Sequence, residues 1–254
     1  MPRPQTPVAI ITGASRGIGL AIARALTPDH ELVLVARSEQ RLEQAARELT
    51  TTARVRTRAC DLADPVALEG LLESVADLDV RILINNAGIA PSGPIARTDD
   101  ETWARTVAIN LTAPFWLCRA FAPRLAASGW GRIINVASTA GLKGYRYTAA
   151  YTATKHGVVG LTRALALDVA RKGVTVNAVC PGFTDTDIVA RAVDNIVDKT
   201  GATPDDARAS IQQFSPQGRL MSPEEVAALV AYLCSEAANG ITGQALAIDG
   251  GETA

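Results

Sequence analysis

The chain has 254 residues, of which 48% are hydrophobic and 20% are charged, and its formal net charge is -1. This length and apolar content fit one large α/β domain over residues 1–254 better than two small domains. Because positive and negative charges nearly balance, the composition gives no general attraction to nucleic acid or to an anionic membrane surface. Neither is expected as a partner.

The distribution of apolar residues and cysteines indicates the compartment. No uninterrupted apolar run reaches the roughly 18 residues of a membrane span, and the N-terminal stretch MPRPQTPVAI has no secretory hydrophobic segment. The cysteines lie far apart without a C-x-x-C pair, at Cys60, Cys118, Cys180 and Cys234. Such spacing argues against a zinc site and favours free thiols in a reducing compartment. We therefore predict a cytoplasmic protein without a bound metal.

Short β-branched runs alternate with helical patterns along the chain. Strands are predicted at residues 8–11, 31–36, 54–59, 81–86, 132–137, 174–179 and 245–249. This alternation predicts parallel strands joined by right-handed crossovers, and hence a single-domain, Rossmann-type doubly wound parallel sheet. Residues 185–217 are polar and show no strand pattern before a helix that starts near Ser222–Pro223. A long excursion of this kind is typical of a substrate lid.

A glycine-rich stretch, ITGASRGIGL, follows the first predicted strand and contains Gly13, Gly17 and Gly19. Ligands of doubly wound sheets bind beyond the carboxyl ends of the strands. Backbone amides of such a turn, together with the N-terminus of the next helix, can hold a diphosphate. The spacing is G-x-x-x-G-x-G rather than G-x-G-x-x-G, so an ordinary tight turn is the alternative.

The end of the second strand bears on the choice of cofactor. An enzyme that selects NAD normally carries an acidic residue there, whereas this chain has Ala36 and Arg37. Arg37 and Arg16 can clamp a 2′-phosphate through planar guanidinium contacts, unless both are simply surface arginines. Glu39 would face the ribose only if the strand ends later than predicted. Asp61, after the third strand, suits the adenine amino group, and its alternative role is to cap the next helix.

The stretch YTATKHG places Tyr151 and Lys155 four residues apart on a predicted helix, so both project from one face. A tyrosine is a poor acid–base catalyst near its reference pKa of ~10. A neighbouring cation favours the phenolate and is expected to lower the pKa of Tyr151 towards working pH. Ser138 ends the preceding strand and can donate a hydrogen bond to a substrate carbonyl.

Several motifs together resemble the short-chain dehydrogenase/reductase family over nearly the whole chain: TGASRGIG (12–19), NNAG (85–88), Asn110, Ser138, Y-x-x-x-K (151–155), PG (181–182) and DGG (249–251). The resemblance implies a catalytic tetrad of Asn110, Ser138, Tyr151 and Lys155. Ser138 would hold the carbonyl oxygen and Tyr151 would transfer the proton. Lys155 would bind the nicotinamide ribose and lower the tyrosine pKa, and Asn110 would position a water of the proton relay.

The same resemblance implies a cofactor site. Its residues would be Gly13, Ser15, Arg16, Gly17, Ile18, Gly19, Arg37, Asp61, Leu62, Asn86, Ala87, Gly88, Tyr151, Lys155, Pro181, Gly182, Phe183 and Thr186. NNAG would line the adenosine side, and the segment from Pro181 to Thr186 would hold the nicotinamide. Within the family, the ARS that follows the second strand resembles members that use NADP(H). Related members assemble as homotetramers, which we expect here.

The overall pattern is similar to 3-oxoacyl-thioester reductases and polyketide ketoreductases. In the loop AASGWGR before the fifth strand, users of acyl-carrier protein tend to carry more exposed basic residues for docking, which argues against a carrier protein here. CoA thioesters and free cyclic or aromatic ketones and alcohols therefore stay open as substrates. In the loop KGYRY (143–147), Lys143 and Arg146 can meet an anionic substrate and Tyr145 or Tyr147 an aromatic one, or the loop is merely solvated. A non-catalytic dinucleotide sensor is the alternative from another class.

Overall fold

The computed structural model describes residues 7–27, 29–50 and 54–254. The proline-rich start of the chain falls mainly on residues 1–6, outside the described residues. The strands are β1 Val8–Thr12, β2 Glu31–Ala36, β3 Val55–Ala59, β4 Val80–Asn85, β5 Gly131–Val136, β6 Val174–Pro181 and β7 Ala245–Ile248. The α-helices are α1 Gly17–Leu26, α2 Glu39–Leu49, α3 Pro65–Glu73, α4 Asp100–Val107, α5 Ala113–Ser128, α6 Ala149–Val169, α7 Asp187–Thr200, α8 Pro204–Gln212 and α9 Pro223–Cys234.

The seven strands form one parallel sheet in the order β3-β2-β1-β4-β5-β6-β7. This confirms the predicted doubly wound class. The direction of winding reverses between β1 and β4, which is where such sheets open a crevice for ligands. The predicted strand bounds hold within two residues. β6 runs two residues further than predicted because Cys180 and Pro181 still pair with β7.

Alternation along β1 divides the core into two layers, because successive side chains of a strand point to opposite faces. Ile11 packs with α1, α2 and α9, whose buried members include Ile22 and Val230. Ile10 packs on the other face with α3, α5 and α6, including Phe121. Helices thus cover both faces of the sheet, and the open region is its carboxyl edge.

Helices α4 and α5 are joined without a loop by a π-helical turn over Ala108–Thr112. The extra residue per turn has no local signal in the sequence. π-turns of this kind are frequent at functional sites. Here the turn carries Asn110, whose side chain it directs inward at 1% exposure.

The segment 185–217 contains no named strand, as predicted, and consists largely of α7 and α8. These helices share a small apolar cluster of Val189, Ile211 and Leu220, separate from the two main layers. The next helix, α9, begins at Pro223 as predicted. Ser222 and Glu225 form a capping box that fixes this start.

All four cysteines are buried and free. Within the described ranges, no helix is both long and apolar enough to cross a membrane. The same residues contain no group of three or more His, Cys, Asp or Glu side chains that could bind a metal ion.

Candidate active site

The four residues of the expected tetrad meet at the carboxyl edge of the sheet. Ser138 lies just after β5, Asn110 lies in the π-turn, and Tyr151 and Lys155 lie on the first turns of α6. A Cβ atom built on Gly88, after β4, would lie 3.4 Å from Asn110 Oδ1 and 3.6 Å from Lys155 Nζ. The fold therefore brings side chains from three separate segments, and the backbone of Gly88 from a fourth, to one point.

The Ser138 hydroxyl lies near the Tyr151 phenol, close enough to act on its pKa. Ser138 Oγ also accepts a bond of 3.1 Å from the Ala140 amide, which fixes its position after β5. Burial raises the pKa of Tyr151, and the nearby Ser138 hydroxyl only partly opposes this. The prediction of a lowered tyrosine pKa is therefore wrong for this structure, because removal from water disfavours the phenolate more strongly than its neighbours favour it.

Lys155 is 5% exposed, and its Nζ donates a 2.8 Å hydrogen bond to the Val136 carbonyl oxygen. The ammonium lies 5.7 Å from the centroid of the Tyr151 ring, which confirms that the two side chains share a helix face. Burial lowers the pKa of Lys155 to about 8. A buried cation that is anchored by one carbonyl retains donors for a ligand.

Asn110 holds the loop after β4. Its Oδ1 accepts from the Ile89 amide at 2.9 Å, and its Nδ2 donates to the Ile89 carbonyl at 2.9 Å and to Thr154 Oγ1 at 3.2 Å. The side chain thus connects the π-turn, the NNAG loop and α6. Such a clamp fixes Gly88 and the α6 face against each other.

Two of the three glycines in the turn after β1 are required by packing within the protein. A Cβ on Gly13, whose φ is +68°, would lie 2.8 Å from Asn86 Nδ2. A Cβ on Gly19 would lie 2.3 Å from the Gly13 carbonyl oxygen. Gly17, with φ +54°, faces Thr186 instead. Gly13 and Gly19 therefore allow the turn to pack closely on itself and on NNAG.

The N-terminus of α1 is nevertheless suited to an anion. Arg16 at the N-cap position makes no side-chain capping bond, and no acidic residue lies in the first turn. The first amides of the helix are thus available to an outside acceptor, and the helix dipole favours negative charge there. Ser15 and Ile18 flank this point and are half-buried.

Arg37 directly follows β2, and Arg16 lies at the N-cap of α1. β2 ends at Ala36 as predicted, and Ser38 caps α2. Arg37 is exposed, while Arg16 is already ion-paired with Asp187, the first residue of α7. Burial, followed by repulsion from Arg41, Arg191 and Arg37, lowers the pKa of Arg16, and we refer to these neighbouring guanidinium groups as the cationic patch.

Asp61 is held by two contacts. Its Oδ1 accepts from the Ala63 amide and its Oδ2 from Arg105, both at 3.1 Å. Burial acts to raise the pKa of Asp61, but these two contacts outweigh it and the net shift is downward. Asp64 caps α3, so the alternative that Asp61 caps this helix is wrong. The Leu62 side chain is buried in the core, which leaves only its backbone for a ligand.

NNAG is fastened to β1 through Thr12. The Asn86 and Ala87 amides donate to Thr12 Oγ1 at 2.9 and 3.0 Å, and Asn86 Nδ2 donates to the Thr12 carbonyl at 2.8 Å. This loop is therefore part of the wall between β1 and β4. Its side chains build the crevice rather than point freely into it.

The segment from Pro181 to Thr186 closes the opposite side. A Cβ on Gly182 would lie 3.0 Å from Asp249 Cα, so the segment packs directly on the C-terminal DGG. Thr186 sits at the N-cap of α7, and its Cγ2 would be 3.2 Å from a Cβ on Gly17. The glycine turn and the start of α7 thus face each other across the crevice.

Glu252 is a residue of the site that sequence reasoning missed. Its side chain is 2% exposed and forms an ion pair of 3.3 Å with Lys143. It is also hydrogen-bonded to the Tyr145 hydroxyl. No local pattern near the C-terminus distinguishes this glutamate, because its partners lie 107 and 109 residues earlier.

Comparisons with known proteins agree with this geometry. Residues 13–253 match the family model described as Enoyl-(Acyl carrier protein) reductase. The putative ketoacyl reductase 1 of the granaticin polyketide synthase of Streptomyces violaceoruber is 41% identical over 251 residues, which cover 96% of this chain and 92% of that protein.

Two solved structures share the fold. Actinorhodin polyketide ketoreductase, crystallised as a variant with NADPH, superposes with a TM-score of 0.92 at 38% identity over 98% of this chain and 97% of that one. L-sorbose reductase from Gluconobacter frateurii, with NADPH and L-sorbose, superposes with a TM-score of 0.91 at 34% identity. The match covers 97% of this chain and 96% of that one. The chain belongs to the short-chain dehydrogenase/reductase family of oxidoreductases that act on keto and hydroxyl groups.

Proposed function

We propose that the protein is an NADP(H)-dependent ketoreductase whose substrate is a 3-oxoacyl thioester, carried by CoA or by acyl-carrier protein. The observation that carries this proposal is the pair of neighbouring hydroxyls, Ser138 and Tyr151, beside the buried ammonium of Lys155. In a reduction, charge develops on the carbonyl oxygen and needs a fixed donor and then a proton. These two hydroxyls meet both needs.

The residues at the carboxyl edge fit a dinucleotide with a 2′-phosphate. The uncapped start of α1 suits the diphosphate, and the cationic patch of Arg16 and Arg37 suits the 2′-phosphate. Asp61 would face the adenine, and Pro181 to Thr186 would flank the nicotinamide. When bound, the nicotinamide supplies or accepts the hydride.

Each tetrad residue then has a role that its contacts support. Ser138 donates to the carbonyl oxygen, and Tyr151 delivers the proton to that oxygen. Lys155 uses its remaining donors on the ribose and stabilises the phenolate that Tyr151 leaves behind. Asn110 ties the π-turn to Ile89 and α6, and its proposed role is to position a water of the proton relay.

The carrier and the acyl group are argued from relatives. The granaticin and actinorhodin proteins are named as ketoacyl or polyketide ketoreductases, which supports a 3-oxoacyl thioester. A free ketone is the second candidate, because L-sorbose reductase binds a free sugar in the same fold. The strand-free segment 185–217 would form the lid over either substrate, within a single unit spanning 1–254.

Loss of NADPH absorbance with a panel of ketones tests the proposal. We expect turnover of 3-oxoacyl thioesters of CoA, with free cyclic ketones reduced more slowly. Faster turnover of the free ketones would select the second candidate. No turnover of any ketone, with NADPH still bound, would contradict the proposal and favour a dinucleotide sensor.

We further propose a cytoplasmic homotetramer that pairs through the helices around 101–127 and 151–171, which include α5 and α6, and through the C-terminal segment. Phe115 is 45% exposed and Leu167 83% exposed on these helices. Leu111, Thr112, Phe115 and Leu161 also line an apolar hollow of about 320 Å³. Exposed apolar surface of this kind marks association sites. Light scattering at micromolar protein is expected to give four times the chain mass of 26.6 kDa, and a monomeric mass would contradict it.

A further inference from the structure

Three aromatic side chains, Tyr145, Phe183 and Phe214, meet between the loop after β5 and the end of α8. We propose that this group, the aromatic wall, binds an aromatic ring of the substrate and makes the enzyme prefer aryl-bearing 3-oxoacyl groups over linear ones. The inference rests on the proposed ketoreductase function. It adds the chemical class of the acyl group.

The three rings form a continuous contact. The centroids of Tyr145 and Phe183 are 6.1 Å apart at an interplanar angle of 85°, and those of Tyr145 and Phe214 are 5.9 Å apart at 64°. Phe183 and Phe214 are 5.2 Å apart at 36°. The chain has only four Phe, four Tyr and three Trp. A cluster of three aromatic rings from three separate segments is therefore a high local concentration of a scarce residue type.

The aromatic wall contacts the residue that follows Ser138. The Tyr145 hydroxyl is 2.6 Å from Oγ1 of Thr139, the residue that follows Ser138. Phe183 belongs to the segment that flanks the nicotinamide position. Phe214 is 48% exposed and leaves an open aromatic face at the end of α8. A substrate whose carbonyl reaches Ser138 can therefore extend along these rings.

The charge around the aromatic wall excludes an anion as its preferred ligand. Lys143 is ion-paired with Glu252 and lies 5.1 Å from the centroid of the Tyr145 ring. The buried carboxylate thus neutralises the only cation that contacts these rings among the described residues. Arg146 lies over the exposed ring of Tyr147 instead. The structure therefore favours the aromatic one of the two roles considered for loop 143–147.

The tyrosine at the wall acts through its ring. Burial, followed by the neighbouring Glu252 carboxylate, raises the pKa of Tyr145, so the hydroxyl stays protonated and remains hydrogen-bonded to Glu252. This bond and the contact with Thr139 fix the ring orientation. A fixed ring offers edge-to-face or offset packing to a fourth ring.

The test compares two substrates that differ only beyond the reacting ketone. The N-acetylcysteamine thioesters of 3-oxo-5-phenylpentanoic and 3-oxohexanoic acid both have a CH₂ group next to the carbonyl, so their intrinsic reactivities match. We expect the wild type to show a higher kcat/KM for the phenyl substrate. Phe214→Ala should reduce the ratio of the two kcat/KM values roughly three- to tenfold, the value expected for an aromatic pair.

Two further variants make the result decisive. Tyr145→Phe keeps the ring and should keep the ratio within about twofold of wild type, as expected when the ring rather than the hydroxyl provides the contact. Tyr232→Ala, on α9, removes a tyrosine that is 47% exposed and should leave the ratio unchanged. Thermal unfolding of each variant verifies that it is folded.

Failure of the inference is distinct from failure of the proposed function. If the wild type reduces neither thioester, the proposed function itself fails. If it reduces both but Phe214→Ala lowers the two kcat/KM values equally, the rings only hold the segment 185–217 in place and the inference is overturned. If Tyr232→Ala lowers the ratio of the two kcat/KM values as much as Phe214→Ala does, the inference is overturned as well.

Discussion

The two ends of the crevice are built differently. At the catalytic end, Asn110 and Lys155 are 1% and 5% exposed and are held by backbone carbonyls and amides. At the other end, proposed for the adenosine, Arg37 is exposed, and Arg16 pairs with Asp187 through side chains that are 42% and 56% exposed. One end is fixed by buried hydrogen bonds and the other by solvated ion pairs.

The difference fits the roles proposed for the two ends, which are proton transfer and recognition of a phosphate. Proton transfer depends on preorganised groups in a water-poor site, where an electrostatic interaction is strong and misplacement is costly. Recognition of a phosphate only needs mobile cations that can exchange one anionic partner for another. Substitutions at the buried end should therefore have large effects, and those at the exposed end smaller ones.

The largest effect is expected for Tyr151→Phe. The substitution keeps the ring but removes the proton donor, so kcat should fall about 10²-fold or more. The Kd of NADPH, measured by fluorescence titration, should change little, because the phenol is not a main anchor of the cofactor. Tyr147→Phe, in the exposed loop, is the matched control. Near-normal turnover of Tyr151→Phe would contradict the assignment of the proton donor.

The next largest effect is expected for Arg37→Asp, on the preference for NADPH over NADH. The substitution removes a charge-assisted contact worth roughly 1.5–3 kcal/mol and adds repulsion. The ratio of NADPH to NADH affinity should therefore fall about ten- to a hundredfold, measured by titration with both cofactors. Arg47→Asp makes the same charge change on the exposed side of α2 and should leave the ratio unaltered. A wild type that binds both cofactors equally would refute the 2′-phosphate site.

Lys155→Met separates stability from function. An unfolded lysine titrates near ~10.4, whereas burial lowers the pKa of Lys155 to about 8. Below pH 8 the buried ammonium therefore destabilises the native state, and wild-type stability should rise between about pH 8 and 10 as this group loses its proton first in the folded protein.

At pH 7 the Lys155→Met variant should consequently unfold at a higher temperature. A gain of about 1–3 kcal/mol corresponds to roughly 2–4 °C for each kcal/mol in a chain of this size. The advantage should disappear near pH 10, while turnover and NADPH affinity are reduced at every pH. Lys172→Met is the exposed control. A lower Tm at pH 7 would show that the bond to Val136 outweighs the cost of burying the charge.

The smallest effect is expected for Asp187→Asn. The carboxylate competes with a 2′-phosphate for Arg16, so its neutralisation should tighten NADPH binding by no more than about fivefold, the upper limit for an exposed ion pair. Asp185→Asn, which breaks the neighbouring pair with Arg208, is the control. Weaker NADPH binding in Asp187→Asn would mean that the pair positions Arg16 rather than competes for it.

Local patterns in the sequence determined much of this protein. The alternation of β-branched runs with helical patterns fixed the doubly wound sheet, and the spacing of four between Tyr151 and Lys155 placed both on one helix face. Ser222 and Pro223 marked the start of α9. These features depend on residues close together in the chain, so the periodicity of hydrophobic residues and the helix-capping residues were enough to predict them.

Only the tertiary structure decided the environment of those residues. The raised pKa of Tyr151 depends on burial by several segments, and the ion pair of Glu252 with Lys143 joins residues 109 positions apart. The π-turn at Asn110 and the pairing of Arg16 with Asp187 likewise have no local signal. Desolvation and long-range pairing arise when distant segments pack together, so the sequence identified the chemical groups and the fold determined their electrostatics.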